Sequence, residues 1–392
     1  MKLNINRKEA LAAARKAALA AMDNSPVPEL TGVLVEADEN TGQVSFLGTD
    51  LKIAIRCEVQ ADVEVGGSAI LNAQLLTGML SLTNGDHVSM GSRNNGLFCL
   101  KCRDTEYTVG MLQPDILTTV KIPVPQTLVR LTGLRSLEKF TTFAAARKSE
   151  QQRMECVRIV VTPNSIQANA CDGTRLIETR EKAESGDSLE FLLPAKSLHI
   201  LAGLVEDKET VYLGLQDHSA VFFRPGLYFT SRIVETPYLD VDSLLSMPGK
   251  YRALVEAKAF QQAVEMVTAA TDGYSSLQLR FAPDKRLLLS CDRPSGITSS
   301  TWLETGVLNP MLGDTGFYYK AAALAQGIRL LEGMLALSVS QDGVLIVANG
   351  SEKYMLTPRR PAKRPEKPKA EEKKTAAKKK TSKTKKTAAK AA

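Results

Sequence analysis

The chain has 392 residues, 50 Lys+Arg against 43 Asp+Glu and a formal charge of +7. Residues 361–392 hold 13 Lys+Arg and 3 Asp+Glu, a net of +10, so residues 1–360 carry 37 basic and 40 acidic side chains and are mildly acidic at −3. A body of that size can bury sizeable cores in two or three domains, and the high pI belongs to its tail.

In chain order, the first element is an amphipathic helix over 6–22. Its charges at Arg7, Lys8, Glu9, Arg15 and Lys16 interrupt any secretory apolar core. Strands follow in GVLVEA, QVSFLG and KIAIRCEV, parted by turn residues such as those of 39–42. A second helix covers 72–82. The strand-like LFCLKC holds Cys99 and Cys102, whose side chains point to opposite faces. No second Cys pair completes a zinc site, and the six scattered cysteines have the spacing of reduced thiols, not of a disulfide framework. The same order then recurs. Helices over 134–146 and 195–205 bracket the second set of strands, which ends in HSAVFFR–PG–LYFTSRIVE; helices over 256–270 and 320–332 bracket the third. Leu134, Leu137, Phe140 and Phe143 make an apolar stripe at helical spacing. No run approaches the roughly 18 apolar residues of a membrane-spanning helix.

This recurrence is a three-fold repeat of about 120 residues. Asp50, Asp172 and Asp292 each sit between two β-rich runs, 122 and 120 residues apart. Leu71, Leu193 and Phe317 open the second helices, 122 and 124 apart, and Tyr107, Tyr228 and Tyr354 enter the closing strands, 121 and 126 apart. A unit this long is a domain, not a solenoid repeat. Two helices on antiparallel sheets define an α+β fold, with domains at 1–125, 126–249 and 250–360, divided by proline and glycine near 123–126 and 247–250. Residues 361–392 contain no aromatic, Leu, Ile or Val and are expected to be disordered; their lysine blocks suit a sequence-blind polyanion contact.

Catalytic motifs are missing. The sequence has no phosphate-cradling glycine loop, no H-E-x-x-H and no G-x-S-x-G. His87, His199 and His218 stand in unrelated settings. The three aspartates lie one per repeat, too far apart to converge on a substrate, and each is expected to pin a turn. No enzyme activity, cofactor or metal is expected.

Thr49-Asp50-Leu51-x-Ile53-x-x-Arg56, Asp172-Gly173-x-Arg175-Leu176 and the ending Tyr354-Met-Leu-Thr-Pro358-Arg359-Arg360, set in three repeats, resemble the bacterial DNA sliding clamp, the beta subunit of DNA polymerase III. The resemblance covers about residues 1–360. It implies a cytoplasmic, head-to-tail homodimer closed into a six-domain ring, with sheets outside and helices lining a hole around double-stranded DNA, contacted without regard to sequence. Its implied role is to tether the polymerase for processive synthesis. Candidate DNA-facing charges are Lys8, Arg15, Lys16, Lys139, Arg147, Lys148, Arg153, Lys196, Lys258, Lys320 and Arg329. DNA polymerase III, the clamp loader and other partners would insert a short extended peptide into a pocket of Met154, Gly173, Thr174, Arg175, Leu176, Pro237, Tyr318, Met355, Leu356, Thr357, Pro358 and Arg360. Tyr107 and Val109 would meet Thr268 and Ala269 across the dimer contact. The chain departs from the family pattern at several places. Asn24, Asn72, Ala73 and Gln74 stand where basic residues are usual, Thr268 and Ala269 replace larger aliphatics, and Val241 and Asp242 replace a basic pocket residue. The basic tail lies outside the pattern altogether. The competing reading is a paralogue, or a DNA-binding protein that acts mainly through this tail without encircling DNA.

Overall fold

The computed structural model describes residues 1–93, 95–114, 116–183, 187–269, 276–292, 298–311 and 316–360. The tail at 361–392, and with it the expectation of disorder, lies outside these residues.

Three units follow one element order. In the first, strand β1 (Lys2–Asn6) and helix α1 (Arg7–Ala18) precede β2 (Gly32–Asp38), β3 (Gln43–Thr49), β4 (Ile53–Val65) and β5 (Gly67–Asn72); α2 (Ala73–Leu82), β6 (His87–Ser92), β7 (Leu97–Cys102) and β8 (Thr105–Gly110) complete it. The second has β9 (Val129–Leu131), α3 (Leu134–Thr141), β10 (Cys156–Thr162), β11 (Ser165–Cys171), β12 (Arg175–Lys182) and β13 (Leu189–Pro194), then α4 (Ala195–Leu204), β14 (Val211–Gln216), β15 (Ser219–Arg224) and β16 (Leu227–Arg232). A short helix, α5 (Val241–Leu245), leads to the third unit. There β17 (Tyr251–Glu256), α6 (Ala257–Thr268), β18 (Ser276–Phe281), β19 (Arg286–Asp292) and β20 (Thr298–Glu304) are followed by an added strand β21 (Gly306–Asn309). Strand β22 (Phe317–Lys320), α7 (Ala321–Ile328), β23 (Met334–Val339), β24 (Leu345–Ala348) and β25 (Glu352–Leu356) close the chain's described part.

The helices form where the sequence places them, and all but α2 end sooner. Helix α1 is capped by Asn6 Oδ1, which accepts from the Lys8 and Glu9 amides. It tightens into i→i+3 bonds at Leu19 and Ala20 well short of residue 22. Helix α3 gives way to a 3₁₀ turn at Thr142–Ala144. Its buried side chains are Leu134, Leu137 and Thr141. Phe140 and Phe143, expected in the same stripe, are half-buried, because the turn swings Phe143 toward the third unit. The α1 face is all alanine, with Ala10, Ala13, Ala14 and Ala17 buried, and the helix lies so low on β3 that a Cβ on Gly48 would stand 2.1 Å from the Ala17 carbonyl.

The C-termini of the second helices share one solution. Arg7 Nε and Nη1 donate to the Gly85 and Leu80 carbonyls, Arg135 Nε to those of Ala202 and Val205, and Gln261 Nε2 to those of Ile328 and Leu331. Each first helix thus satisfies carbonyls left open at the end of the second.

All strand pairs are antiparallel, and the units are joined by strands. β4 of the first unit pairs with β16 of the second, and β12 of the second pairs with β25 of the third. The main core lies between sheets and helices throughout. The opposite sheet faces carry separate clusters. In the first unit Leu34, Leu47, Ala54 and Ile70 are covered by Leu112, Leu117, Val120 and Ile122 of the connecting segment. The buried Glu29 carboxylate holds this segment by accepting from the Ile116 and Leu117 amides.

Candidate interaction sites

Asp50 and Asp172 do pin turns. Asp50 Oδ1 accepts from the Lys52 and Ile53 amides at 2.9 and 2.8 Å. Asp172 Oδ1 accepts from the Thr174 and Arg175 amides and the Thr174 hydroxyl, and Oδ2 from Arg175 Nε at 2.9 Å. Burial alone would raise the Asp172 pKa. The hydrogen bonds from Thr174 and Arg175 and the Arg175 charge outweigh it and hold the carboxyl below its ordinary value.

This turn opens the seam between the second and third units. Leu176 pairs with Met355 and Ile177 with Tyr354; Thr357 donates through both its amide and its hydroxyl to the Thr174 carbonyl. Because side chains alternate, the expected peptide-pocket residues divide between two faces. Leu176 and Met355 face outward in a cluster with Cys171, Val241, Leu245 and Ile346, against which Met154, Tyr238, Leu244, Met247 and Val344 pack. Arg175 and Leu356 face the helices. Arg175 Nη1 donates to Gln326 Oε1 at 2.7 Å, and its guanidinium lies 5.3 Å from the Phe143 ring. Arg175 is therefore a strut under the seam, on the opposite side from Leu176, and not beside it as expected from the sequence.

Leu176 is fully buried, and Met355 is 6% exposed. The segment 237–247, with α5 in it, lies over both. Asp240 caps α5 by accepting from the Ser243 amide and hydroxyl. At the rim, Gly173, Thr174, Pro237, Pro358 and Arg360 are exposed, and Tyr318 is half-buried, its carbonyl accepting from the Arg359 amide. Cys171, Ile346, Val344 and Leu245 were missing from the sequence-based set. Strand register brings the first three to Leu176 and α5 brings Leu245, and only the hairpin partner Cys171 is near enough in sequence to have been found.

The helix side collects the expected cations. Lys8, Arg15, Lys139, Arg147, Lys148, Lys196, Lys258, Lys320 and Arg329 are exposed, and Lys16 is half-buried. Arg147, Lys196 and Arg175 line a cavity of about 840 Å³ that also holds Glu138, Glu155 and His199. Lys139 and Arg329 line a neighbouring one of about 410 Å³ with Phe143 and Gln326. Acids temper this charge: Glu138 accepts from His199 and Thr142, and Glu265 pairs with Arg329. Arg153 stands apart, donating to Gln151 Oε1 and to the Pro237 carbonyl at the lip of the outer cluster. Helix α2 carries no charge, and Asn72 caps it by accepting from the Gln74 and Leu75 amides. Among the described residues no group of three or more metal-ligating side chains occurs and no helix is long and apolar enough to cross a membrane.

Among the described residues β8, which carries the half-buried Tyr107 and Val109, pairs only with β7, and β20 pairs only with β19, so each has an open edge. Thr268 is half-buried and Ala269 exposed at the end of α6.

A clamp of three α+β units, joined sheet to sheet with helices on one side, is the class this architecture defines. Residues 1–121 match the family model for the DNA polymerase III beta subunit, N-terminal domain, and 129–240 that for its central domain. The chain belongs to this family, the beta sliding clamps, which are processivity factors without a catalytic site of their own. It is 24% identical to the beta sliding clamp of Synechococcus elongatus, over 86% of this chain and 90% of that protein, and 23% identical to that of Bacillus subtilis, over 75% and 81%. Among solved structures it resembles a putative DNA polymerase III beta subunit from Eubacterium rectale (TM-score 0.84, 15% identity, 92% of this chain and 99% of that one). The beta subunit from Pseudomonas aeruginosa is similarly close (TM-score 0.83, 19% identity, 92% and 100%).

Proposed function

We propose that two copies of the chain close head to tail into a ring that encircles duplex DNA and tethers a DNA polymerase for processive synthesis. The observation that carries this reading is the repeated seam. Each unit offers the last strand of its first sheet (β4, then β12) to the last strand of the next unit (β16, then β25). Continued once more, the same rule pairs β20 with β8, each of which has an open edge. A three-unit chain can meet that rule only in another copy.

Matching the helix-facing positions unit by unit sets Tyr107 opposite Ser299 of the second copy, where the chain's own seams have Phe229 opposite Ile55 and Tyr354 opposite Ile177. The buried spacing of α3 and α6 likewise sets Met266 where Phe143 stands, beside the ring position of Tyr354. Met266 thus joins Tyr107, Val109, Thr268 and Ala269 at the contact. Serine in place of isoleucine buries less apolar area, at roughly 25 cal/mol per Å², so this dimer is looser than the internal seams.

The exposed cations of the helix side would line the hole and make exchangeable phosphate contacts, which suits sliding because no base is read. The outer cluster at Leu176 and Met355 would receive peptides from the polymerase, the clamp loader and other partners, with Met154, Leu244 and Met247 as its accessible walls. Solution mass tests the assembly: a dimer at micromolar concentration supports the ring, and a monomer there refutes it.

A further inference from the structure

The floor of the outer cluster is already filled by the chain itself. Val241 and Leu245 of α5 are 1% and 7% exposed, and they pack with Cys171, Leu176, Ile346 and Met355, none of which is more than 7% exposed. Two apolar side chains one helical turn apart thus stand where a partner's anchors would sit.

The first unit shows a cover that is fixed in place. Both connecting segments leave their units by the same pair of backbone bonds: Met111 N and Leu112 N donate to the Gly96 and Ile70 carbonyls, and Ile233 N and Val234 N to those of His218 and Leu192. Each segment then packs on the outer face of its own unit's sheet. In the first unit a 3₁₀ turn at Pro28–Thr31 carries the buried Glu29, which takes two amides of the covering segment, those of Ile116 and Leu117. The second unit has the matching turn at Gln152–Glu155, which likewise runs straight into its first long strand, and Arg153 stands at the position of Glu29. Leu30 and Met154, one residue further on, pack in the two outer clusters. Arg153 gives its segment a single, exposed bond, from Nη1 to the Pro237 carbonyl at 3.1 Å.

Among the described residues no backbone hydrogen bond joins 235–249 to a sheet; the next such tie is from Lys250 N to the Val339 carbonyl. The segment satisfies its own polar groups instead. Leu244 N and Ser246 N donate to the Asp240 and Asp242 carbonyls, and Asp240 caps the turn. Helix α5 can therefore lift as a preformed turn without leaving sheet hydrogen bonds open.

We propose that 235–249 is an autoinhibitory strap, the site's own ligand: Val241 and Leu245 hold the floor until a partner peptide displaces them, and the Arg153–Pro237 bond is the latch. This rests on the reading of the outer cluster as the peptide site. Leu244, half-buried on the flank of α5, stays at the rim and faces the incoming peptide. A partner's affinity is then lowered by the fraction of protein with the strap seated.

Cys171 reports the strap without any partner. It lies in the floor beside Leu176, whereas Cys57 lies in the main core on β4, which is paired on both sides. Full-length protein under native conditions is treated with a thiol reagent at pH 8, and each cysteine is followed by peptide mass. Cys171 is expected to label faster than Cys57. Arg153→Ala should speed Cys171 roughly two- to tenfold. Val241→Asp, which places an unpaired charge on the floor, should speed it about 100-fold or more, with Cys57 unchanged in both variants. A synthetic peptide of residues 237–247, added to Val241→Asp at about 1 mM, the order of the effective concentration that a short tether supplies, should slow Cys171 again. Equal rates at Cys171 and Cys57 in the wild-type protein, no acceleration by Arg153→Ala, or no protection by the peptide would each overturn the strap. Should Val241→Asp also expose Cys57, that variant has unfolded, and the wild-type and Arg153→Ala rates decide. None of these rates involves a partner, so their failure leaves the peptide-site reading standing; that reading fails separately, if Leu244→Ala leaves peptide binding unchanged.

Discussion

Met266 offers the sharpest perturbation of the ring contact, because in the single chain it does little. It is 61% exposed on α6, so Met266→Ala should leave the melting temperature nearly unchanged, as surface substitutions generally do. In the ring it would pack as Phe143 packs on Tyr354, whose ring centroids are 6.2 Å apart. A fully buried methionine is worth roughly 1.5–3 kcal/mol, and the exposed part alone about 1–2. A head-to-tail dimer contains the contact twice, so the loss doubles to about 2–4 kcal/mol, roughly 30- to 10³-fold in the dissociation constant. Met266→Glu would in addition bury an unpaired charge, at several kcal/mol more, and should be monomeric at micromolar concentration. Sedimentation velocity over a dilution series measures all three proteins. If both variants dissociate at the wild-type concentration, Met266 is outside the contact and the matching of α3 to α6 is wrong.

Leu176→Ala should cost about 2–5 kcal/mol in denaturant unfolding, since the residue is fully buried in the seam, whereas the half-buried Leu244→Ala should weaken peptide binding with a smaller stability loss. The Asp172 carboxyl is held below its ordinary pKa, so it stabilises the fold above about pH 4, the unfolded value, and this is lost as pH falls through the folded value. Asp172→Ala should therefore lower the melting temperature at pH 7, with the deficit shrinking toward pH 2; a constant deficit would contradict the assignment. Burial pushes the Cys57 thiol up to about 11 and Cys156 to about 12, and of the six free cysteines Cys99 alone is not buried. A thiol reagent at pH 8 should label Cys99 first, and rapid labelling of all six would mean the native sheets open readily.

The repeat was legible because its markers are local: a turn aspartate, a helix start and a closing strand recur whatever the tertiary detail. Their registers were less legible. Pairing puts Phe229, not Tyr228, at the position of Tyr107 and Tyr354, and matches Asp292 to Cys171, one residue before Asp172. An aromatic neighbour and a longer connection in the sequence each disguise a one-residue shift, and in a strand that shift exchanges the two faces. The same ambiguity hid the opposite orientations of Arg175 and Leu176. Helix α5 was not expected at all. Its five residues are too few for a periodic pattern, and it is held by Val241 and Leu245 on a cluster built from four strands of two units. The uncharged start of α2 was plain in the sequence, since composition needs no register.

Retention on DNA tests the encircling ring most directly. Protein loaded onto nicked circular duplex is washed at high salt, before and after a single cut linearises the circle. Phosphate contacts weaken by about 0.9 in log K per log salt for each phosphate neutralised, whereas escape from a closed ring requires opening a protein interface. The account predicts protein retained on the circle at high salt and released by the cut, with or without 361–392. Equal loss from circle and line, or retention that vanishes with the tail, would contradict it.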